Sequence, residues 1–402
     1  MRLKGKSGYI VLGCLTLTVM GLLFAWSLYV DTLESDLGWS RAQSSVVYTV
    51  STCMFSVGGI LGGIFHNRLG VSKVLLLGGI LGAAGYFVSS ITSSIPIMAI
   101  CYGGLTGIAT GLAYNNIIAA VTSWYKADTG LVSGILLMFY GFGTMILGPV
   151  ITLIIQNMGW RMSFRFVGTA FFLFSLICSF VIRDNPSTEQ IPDTKHTRAP
   201  KDFSTTEMLR SPIFLTIYPM TFFVCSVGAA IIGIVSSCAV FFGASTWTAV
   251  ICASLVSITN GVGRIVYGTM YDRIGMRKTY FIMTIVTLAA SLLLFIGSVL
   301  GMLPVLMIGF FLAGLSYAGL GPANPVLARR VFGEKYYNVN LGFIASSGLP
   351  AAFLGPLFLG SIDSYSVIFG ICVGYSIIAI LLVLAGIRGI DNLEKEYNSK
   401  IF

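Results

Sequence analysis

The chain alternates long apolar runs with short polar breaks. The runs cover 9–30, 44–65, 74–93, 97–123, 129–155 and 162–182, then 212–242, 246–270, 279–299, 303–329, 337–359 and 364–388. A helix needs about 20 mainly apolar residues to cross about 30 Å of hydrocarbon, so the pattern predicts an all-α integral membrane protein with twelve transmembrane helices. The longest break, 183–211, is rich in Pro, Thr, Asp and Lys and reads as a cytoplasmic linker. It separates an N-terminal six-helix bundle (1–182) from a C-terminal one (212–388), which is followed by a cytoplasmic tail (389–402).

The two bundles carry an internal repeat. Gly63-Ile-Phe-His-Asn67-Arg68-Leu-Gly70-Val-Ser-Lys73 closes helix 2, and 205 residues later Gly268-Thr-Met-Tyr-Asp272-Arg273-Ile-Gly275-Met-Arg277-Lys278 closes helix 8. Gly107 matches Gly314, Gly141 matches Gly348, and Gly148-Pro149 matches Gly355-Pro356, all at an offset of 207. Parallel six-helix repeats are one plan of secondary transporters, with the substrate site near the bilayer midplane. Ridges such as Gly58-x3-Gly62, Gly59-x3-Gly63 and Gly103-x3-Gly107-x3-Gly111 predict close helix–helix approach.

Composition agrees and adds orientation. Hydrophobic residues make up 56% of the 402 and charged ones 10%. With both termini cytoplasmic, 20 of the 24 Lys and Arg fall in inside loops and tails, which is the positive-inside bias. The net charge of +9 is then topology and contact with anionic lipid, with no nucleic-acid footprint. The basic N-terminus leads into an uncleaved first helix. All eight cysteines fall inside apolar runs without paired spacing and read as packing residues. Trp26, Tyr29 and Trp39 lie near the outer edge, where an interfacial aromatic belt is expected. No phosphate loop, metal-ligand cluster or nucleophile–base pair is present, so neither an enzyme nor a cofactor is expected, and no metal.

Arg264 is the residue that points to chemistry. It lies eight residues before Asp272, about 12 Å inside the membrane at 1.5 Å per residue, where an arginine costs at least about 2.5 kcal/mol. The twelve runs contain no Asp or Glu, so the expected counter-charge is the substrate, a carboxylate that a guanidinium grips bidentately. Asn260, one turn earlier on the same face, can brace that guanidinium or donate to a carboxylate; packing as an interhelical amide accounts for it equally well. Tyr114, Tyr140 and Tyr317 lie at similar depth, with hydroxyls to donate and rings to close a pocket, although buried packing alone would also place them there. The two loop motifs read as gates whose acids and bases pair with each other and with helix ends. Asn67 stands where the second copy has its acid, which predicts a weaker first latch. His66 and His196 read as isolated polar residues.

These motifs, together with Trp26-Ser-Leu-Tyr29, Trp124-Tyr-Lys-Ala-Asp-Thr-Gly130, Asp202-Phe-Ser-Thr-Thr-Glu-Met-Leu-Arg-Ser-Pro212 and Asn260-Gly-Val-Gly-Arg264, carry a resemblance. The chain resembles the major facilitator superfamily over its full length, and within it the oxalate:formate antiporter family. The resemblance implies that Arg264 binds substrate carboxylate and that Tyr114, Tyr140 and Tyr317 form an aromatic cage. The family's helix 11 lysine falls on Gly348, and helix 11 holds no cation. A dicarboxylate would then bury a charge at a cost of several kcal/mol, which favours a monocarboxylate.

The leading expectation is a monomeric, alternating-access carrier of a monocarboxylate such as formate, lactate or pyruvate. A cationic site returns more readily with a second anion, which favours exchange. Proton-coupled symport, efflux of a hydrophobic compound and a transport-inactive membrane sensor are the competing readings.

Overall fold

The computed structural model describes residues 7–185, 201–352, 362 and 364–399. The described residues form helices joined by short turns. Among the described residues, nine stretches are long and apolar enough to cross a membrane, and two of these are helix pairs merged across a single non-helical glycine, at Gly70 and at Gly159. Counting the pairs separately gives eleven helices. The twelfth is α11, described over Tyr337–Ala345 and Gly348–Ala352. In chain order the others are α1 (Ser7–Leu37), α2 (41–69), α3 (71–89), α4 (Ile95–Thr122), α5 (129–158), α6 (160–181), α7 (Pro212–Phe241), α8 (Thr246–Arg273), α9 (Met276–Leu300), α10 (Leu303–Arg330) and α12 (Tyr365–Ser399). The basic residues 1–6, linker residues 186–200 with His196, and Gly355-Pro356 lie outside the described residues.

The internal repeat is visible in backbone angles. Gly70 turns α2 into α3 at φ 78°, ψ 161°, and Gly275 turns α8 into α9 at φ 84°, ψ 165°. This region is open essentially to glycine alone, and the two positions are separated by the repeat offset. Serine caps start the helices that follow loops: Ser40 and Gln43 form a capping box on α2, and Ser245 accepts from the Thr248 N–H on α8. α1 runs to Leu37, seven residues past its expected end, and so carries Asp31, Glu34 and Asp36. At 31 residues it is about 46 Å long, so the extra turns project beyond the hydrocarbon, where acids are tolerated.

The chain divides into two compact units. The first comprises Met1–Lys126, Ile135–Gln190 and Tyr337–Ser346; the second comprises Ala127–Gly134, Ile191–Tyr336 and Ser347–Phe402. The start of α5 therefore belongs with the second unit and the start of α11 with the first.

In the first unit the glycine ridges of α2 and α4 bring backbones together. A methyl on Gly58 would lie 2.2 Å from the Ile108 carbonyl oxygen, and one on Gly111 would lie 2.0 Å from that of Phe55. Beside this contact Trp26, Tyr29, Tyr86, Tyr102 and Phe164 form a continuous ring cluster. The belt expectation is corrected here: Trp26, Tyr29 and Trp39 are buried. Protein partners take up two of the polar tips, because the Trp26 indole N–H donates to the Ser44 carbonyl and the Tyr29 hydroxyl bonds Ser163. The second unit has an apolar core around Ile231, Val256, Leu294, Phe310 and Phe369. Its surface is apolar, with Phe241 70% and Trp247 74% exposed, as a lipid-facing helix end requires. All eight cysteines are free thiols.

Candidate functional site

Arg264 and Asn260 stand one turn apart on α8 in the second unit, both half-buried. Side chains on a helix lean toward its N-terminus, so Arg264 leans toward Asn260. The Asn260 amide oxygen is fully enclosed and has no donor among the described residues. A buried acceptor left unmet costs about 1–3 kcal/mol, and such an atom calls for an explanation.

α10, which carries Tyr317, packs on the same stretch of α8 through small residues. A methyl on Gly314 would lie 2.6 Å from the Val256 carbonyl oxygen, and one on Gly263 would lie 2.7 Å from Ala318 Cβ. This contact sets Tyr317 beside the part of α8 that carries Asn260 and Arg264. Its ring lies across Gly228 of α7, where a methyl would come within 2.3 Å, and the Cys225 thiol donates to its hydroxyl oxygen at 3.8 Å. α10 is interrupted at Gly319, two residues further on.

Tyr114 and Tyr140 meet in the first unit, with ring centroids 4.7 Å apart. Phe55 joins both, at 5.2 Å from Tyr114 and 6.1 Å from Tyr140, and Phe24 lies 5.7 Å from Tyr140. Sequence reasoning missed Phe55 and Phe24. The repeat held a signal for Phe55: the offset of 205 carries Phe55 onto Asn260 and Gly59 onto Arg264. The first half thus has an aromatic and a glycine where the second has an amide and a guanidinium. A small cleft with room for about one water is lined by Phe55, Gly59, Tyr114, Asn115 and Gly342. The buried Asn115 amide oxygen also lacks a donor.

The two loop motifs differ in their surroundings. In the second copy, Gly268 lets α8 touch the start of α5, since a methyl there would lie 2.2 Å from the Gly130 carbonyl oxygen. One turn on, the Asp272 carboxylate accepts the N–H groups of Gly130 at 3.0 Å and Leu131 at 2.7 Å. It also accepts from Arg330 at 2.6 Å, and Arg330 donates further to the carbonyls of Tyr271 and Ala127. The acid thus caps the positive end of α5, and its basic partner comes from the end of α10. Arg273 is exposed and Gly275 makes the turn. In the first copy Gly63 meets the start of α11, where a methyl would lie 2.3 Å from the Asn338 carbonyl oxygen. Asn67 and Arg68 are exposed beside the turn at Gly70. His66 is not isolated: it contacts Asn116 of α4 and Asp184.

With this geometry in hand, the sequence profile of the Major Facilitator Superfamily matches residues 11–296 and 242–399. The chain belongs to the Major Facilitator Superfamily. It is a multi-pass membrane transporter and not an enzyme. The oxalate:formate antiporter of Oxalobacter formigenes is 27% identical over 356 residues, 86% of this chain and 82% of the relative. Monocarboxylate transporter 12 of Mus musculus is 27% identical over 198 residues, 48% of this chain and 40% of the relative. Among solved structures, the human organic anion transporter MFSD10 superposes with a TM-score of 0.68 at 17% identity, covering 94% of this chain and 99% of that one. The superfamily fold accounts for twelve helices in two six-helix repeats.

Proposed function

We propose that this carrier exchanges small monocarboxylates by alternating access in the cytoplasmic membrane, with both termini inside. Acting as a monomer, it would use residues 1–182 and 212–388 as its two halves, joined by the linker 183–211. The observation that carries the reading is Arg264, a guanidinium about 12 Å deep in a helix whose neighbour one turn away, Asn260, holds an enclosed oxygen without a donor. Arg264 takes the carboxylate, Asn260 completes the polar contact, and Tyr317 closes over the ligand. The similarity to an oxalate:formate antiporter and a monocarboxylate transporter supports an anionic substrate of this size. The helix 11 position Gly348 supplies no second cation, which supports one carboxylate over two.

Counterflow in proteoliposomes tests this. Formate, acetate, lactate and pyruvate should exchange and should raise the melting temperature of purified protein. Arg264→Gln should abolish both effects, and Arg264→Lys should recover little, because an ammonium does not reproduce the bidentate fork. Exchange that survives Arg264→Gln would end the proposal, and stabilisation by hydrophobic compounds alone would replace it with efflux.

A further inference from the structure

We propose that His66 is a proton-binding site whose imidazolium form ties the inner end of α2 to α4 and to the segment after α6, so that pH sets how firmly this end is held. The inference starts from Asn116, whose amide nitrogen donates to the Leu112 carbonyl at 2.7 Å. That bond orients the side chain and turns its oxygen, an acceptor, toward His66 Nδ1. On the other side of the ring, Nε2 lies 3.1 Å from a carboxylate oxygen of Asp184. Both ring nitrogens therefore face acceptors. Only the doubly protonated ring can donate at both places, and loss of either proton sets a lone pair against an oxygen. The His66 side chain is 10% exposed and Asn116 2%, so water offers little relief.

The surroundings leave the proton to this link. Among the described residues, the charge that acts on the ring is Asp184, 43% exposed at the edge of the segment following α6. Neighbouring Arg183 spends its guanidinium on the carbonyls of Ser179 and Ile182. From α4 the ring meets the neutral Asn116, and on its own helix Arg68 is exposed. His66 also stands beside Asn67, where the first motif copy lacks the acid that Asp272 supplies in the second. Three residues before it, Gly63 makes the backbone contact with the start of α11. A link at His66 thus holds the end of α2 where, among the described residues, the first copy has no counterpart of the Asp272–Arg330 pair, and the proton decides whether it is made.

The sign follows from the geometry: the stabilising bonds are complete on the acid side and are lost as pH rises. Melting of the substrate-free, full-length protein in detergent should fall by about 2 °C or more between about pH 5.5 and about pH 8.5, the range in which imidazoles titrate. Counterflow measured at equal pH on both sides should change about threefold or more over the same interval, with one-proton steepness. His66→Gln and Asp184→Asn should each flatten both profiles. The chain has two histidines, so His196→Gln is the control and should leave both profiles in place. The half-exposed Asp184 provides a second variant should His66→Gln fold poorly. A wild-type melting curve flat across this interval overturns the proposal, as does a step that survives His66→Gln or disappears with His196→Gln. The melting arm contains no substrate, so it stands or falls separately from the monocarboxylate reading.

Discussion

The carboxylate of Asp272 meets the guanidinium of Arg330 at 2.6 Å, with both side chains less than a tenth exposed. The pair sits in a wider network: the acid also accepts two N–H groups at the start of α5, and the arginine also donates to two carbonyls. Breaking a buried pair from one side typically costs about 3–5 kcal/mol, because a charge is left behind. Asp272→Ala should therefore lower the melting temperature more than Asp272→Ala combined with Arg330→Met. The double variant should remain below wild type, since the α5 N–H groups stay uncapped. Equal melting of the single and double variants would mean that the two charges are not coupled.

Gly268 and Gly233 make a matched pair of tests. At Gly268 the obstacle to a methyl is the Gly130 backbone, which cannot rotate away; at Gly233 on α7 nothing lies within 4 Å. Gly233→Ala should be neutral or stabilise by about 0.5–1 kcal/mol, as Gly→Ala does in an open helix position. Gly268→Ala should force α8 from α5 and cut counterflow at least tenfold. Similar behaviour of the two variants would remove the close-approach argument.

The sequence revealed the twelve helices because apolar run length is a one-dimensional signal, and it revealed the repeat because Gly70 and Gly275 must both be glycine. Position along a helix needs only the rise per residue, and this is why Arg264 and Asn260 could be singled out. What run length does not contain is azimuth. Trp26 and Tyr29 turn inward, and only the partners Ser44 and Ser163 reveal it. Phe55 was passed over because a phenylalanine in a lipid-spanning helix is unremarked until Tyr114 and Tyr140 stand beside it. His66 looked isolated because Asn116 and Asp184 are 50 and 118 residues away in the chain.

Asp202 anchors the end of the linker to the turn between α10 and α11. Its carboxylate accepts the N–H groups of Glu334 at 2.9 Å and Lys335 at 3.2 Å, beside Gly333 at φ 90°. The Phe203 N–H donates to the Phe332 carbonyl and the two rings meet edge to face. Asp202→Ala removes the acceptor for two N–H groups and should loosen the segment before the Thr205–Arg210 helix. Limited proteolysis should then cut this segment several times faster than in wild type, with little change in overall melting. An unchanged cleavage rate would show that Phe203 holds the segment without the acid.

The amide oxygen of Asn260 makes the sharpest prediction about the substrate. An enclosed acceptor without a donor favours a ligand that brings one and disfavours a ligand that presents a second acceptor. With a carboxylate on Arg264, a hydroxyl on the adjacent carbon has a donor to offer, whereas a keto oxygen has none. Lactate should accordingly compete for exchange about tenfold better than propionate or pyruvate, since about 1.4 kcal/mol corresponds to a factor of ten. Asn260→Leu should weaken all three and bring the ratio close to one, because the oxygen that distinguishes them is gone. If wild-type protein treats lactate and pyruvate alike, or if the ratio survives Asn260→Leu, the oxygen is not read by the ligand. Asn260 would then be an interhelical packing amide, with Arg264 alone defining the polar site.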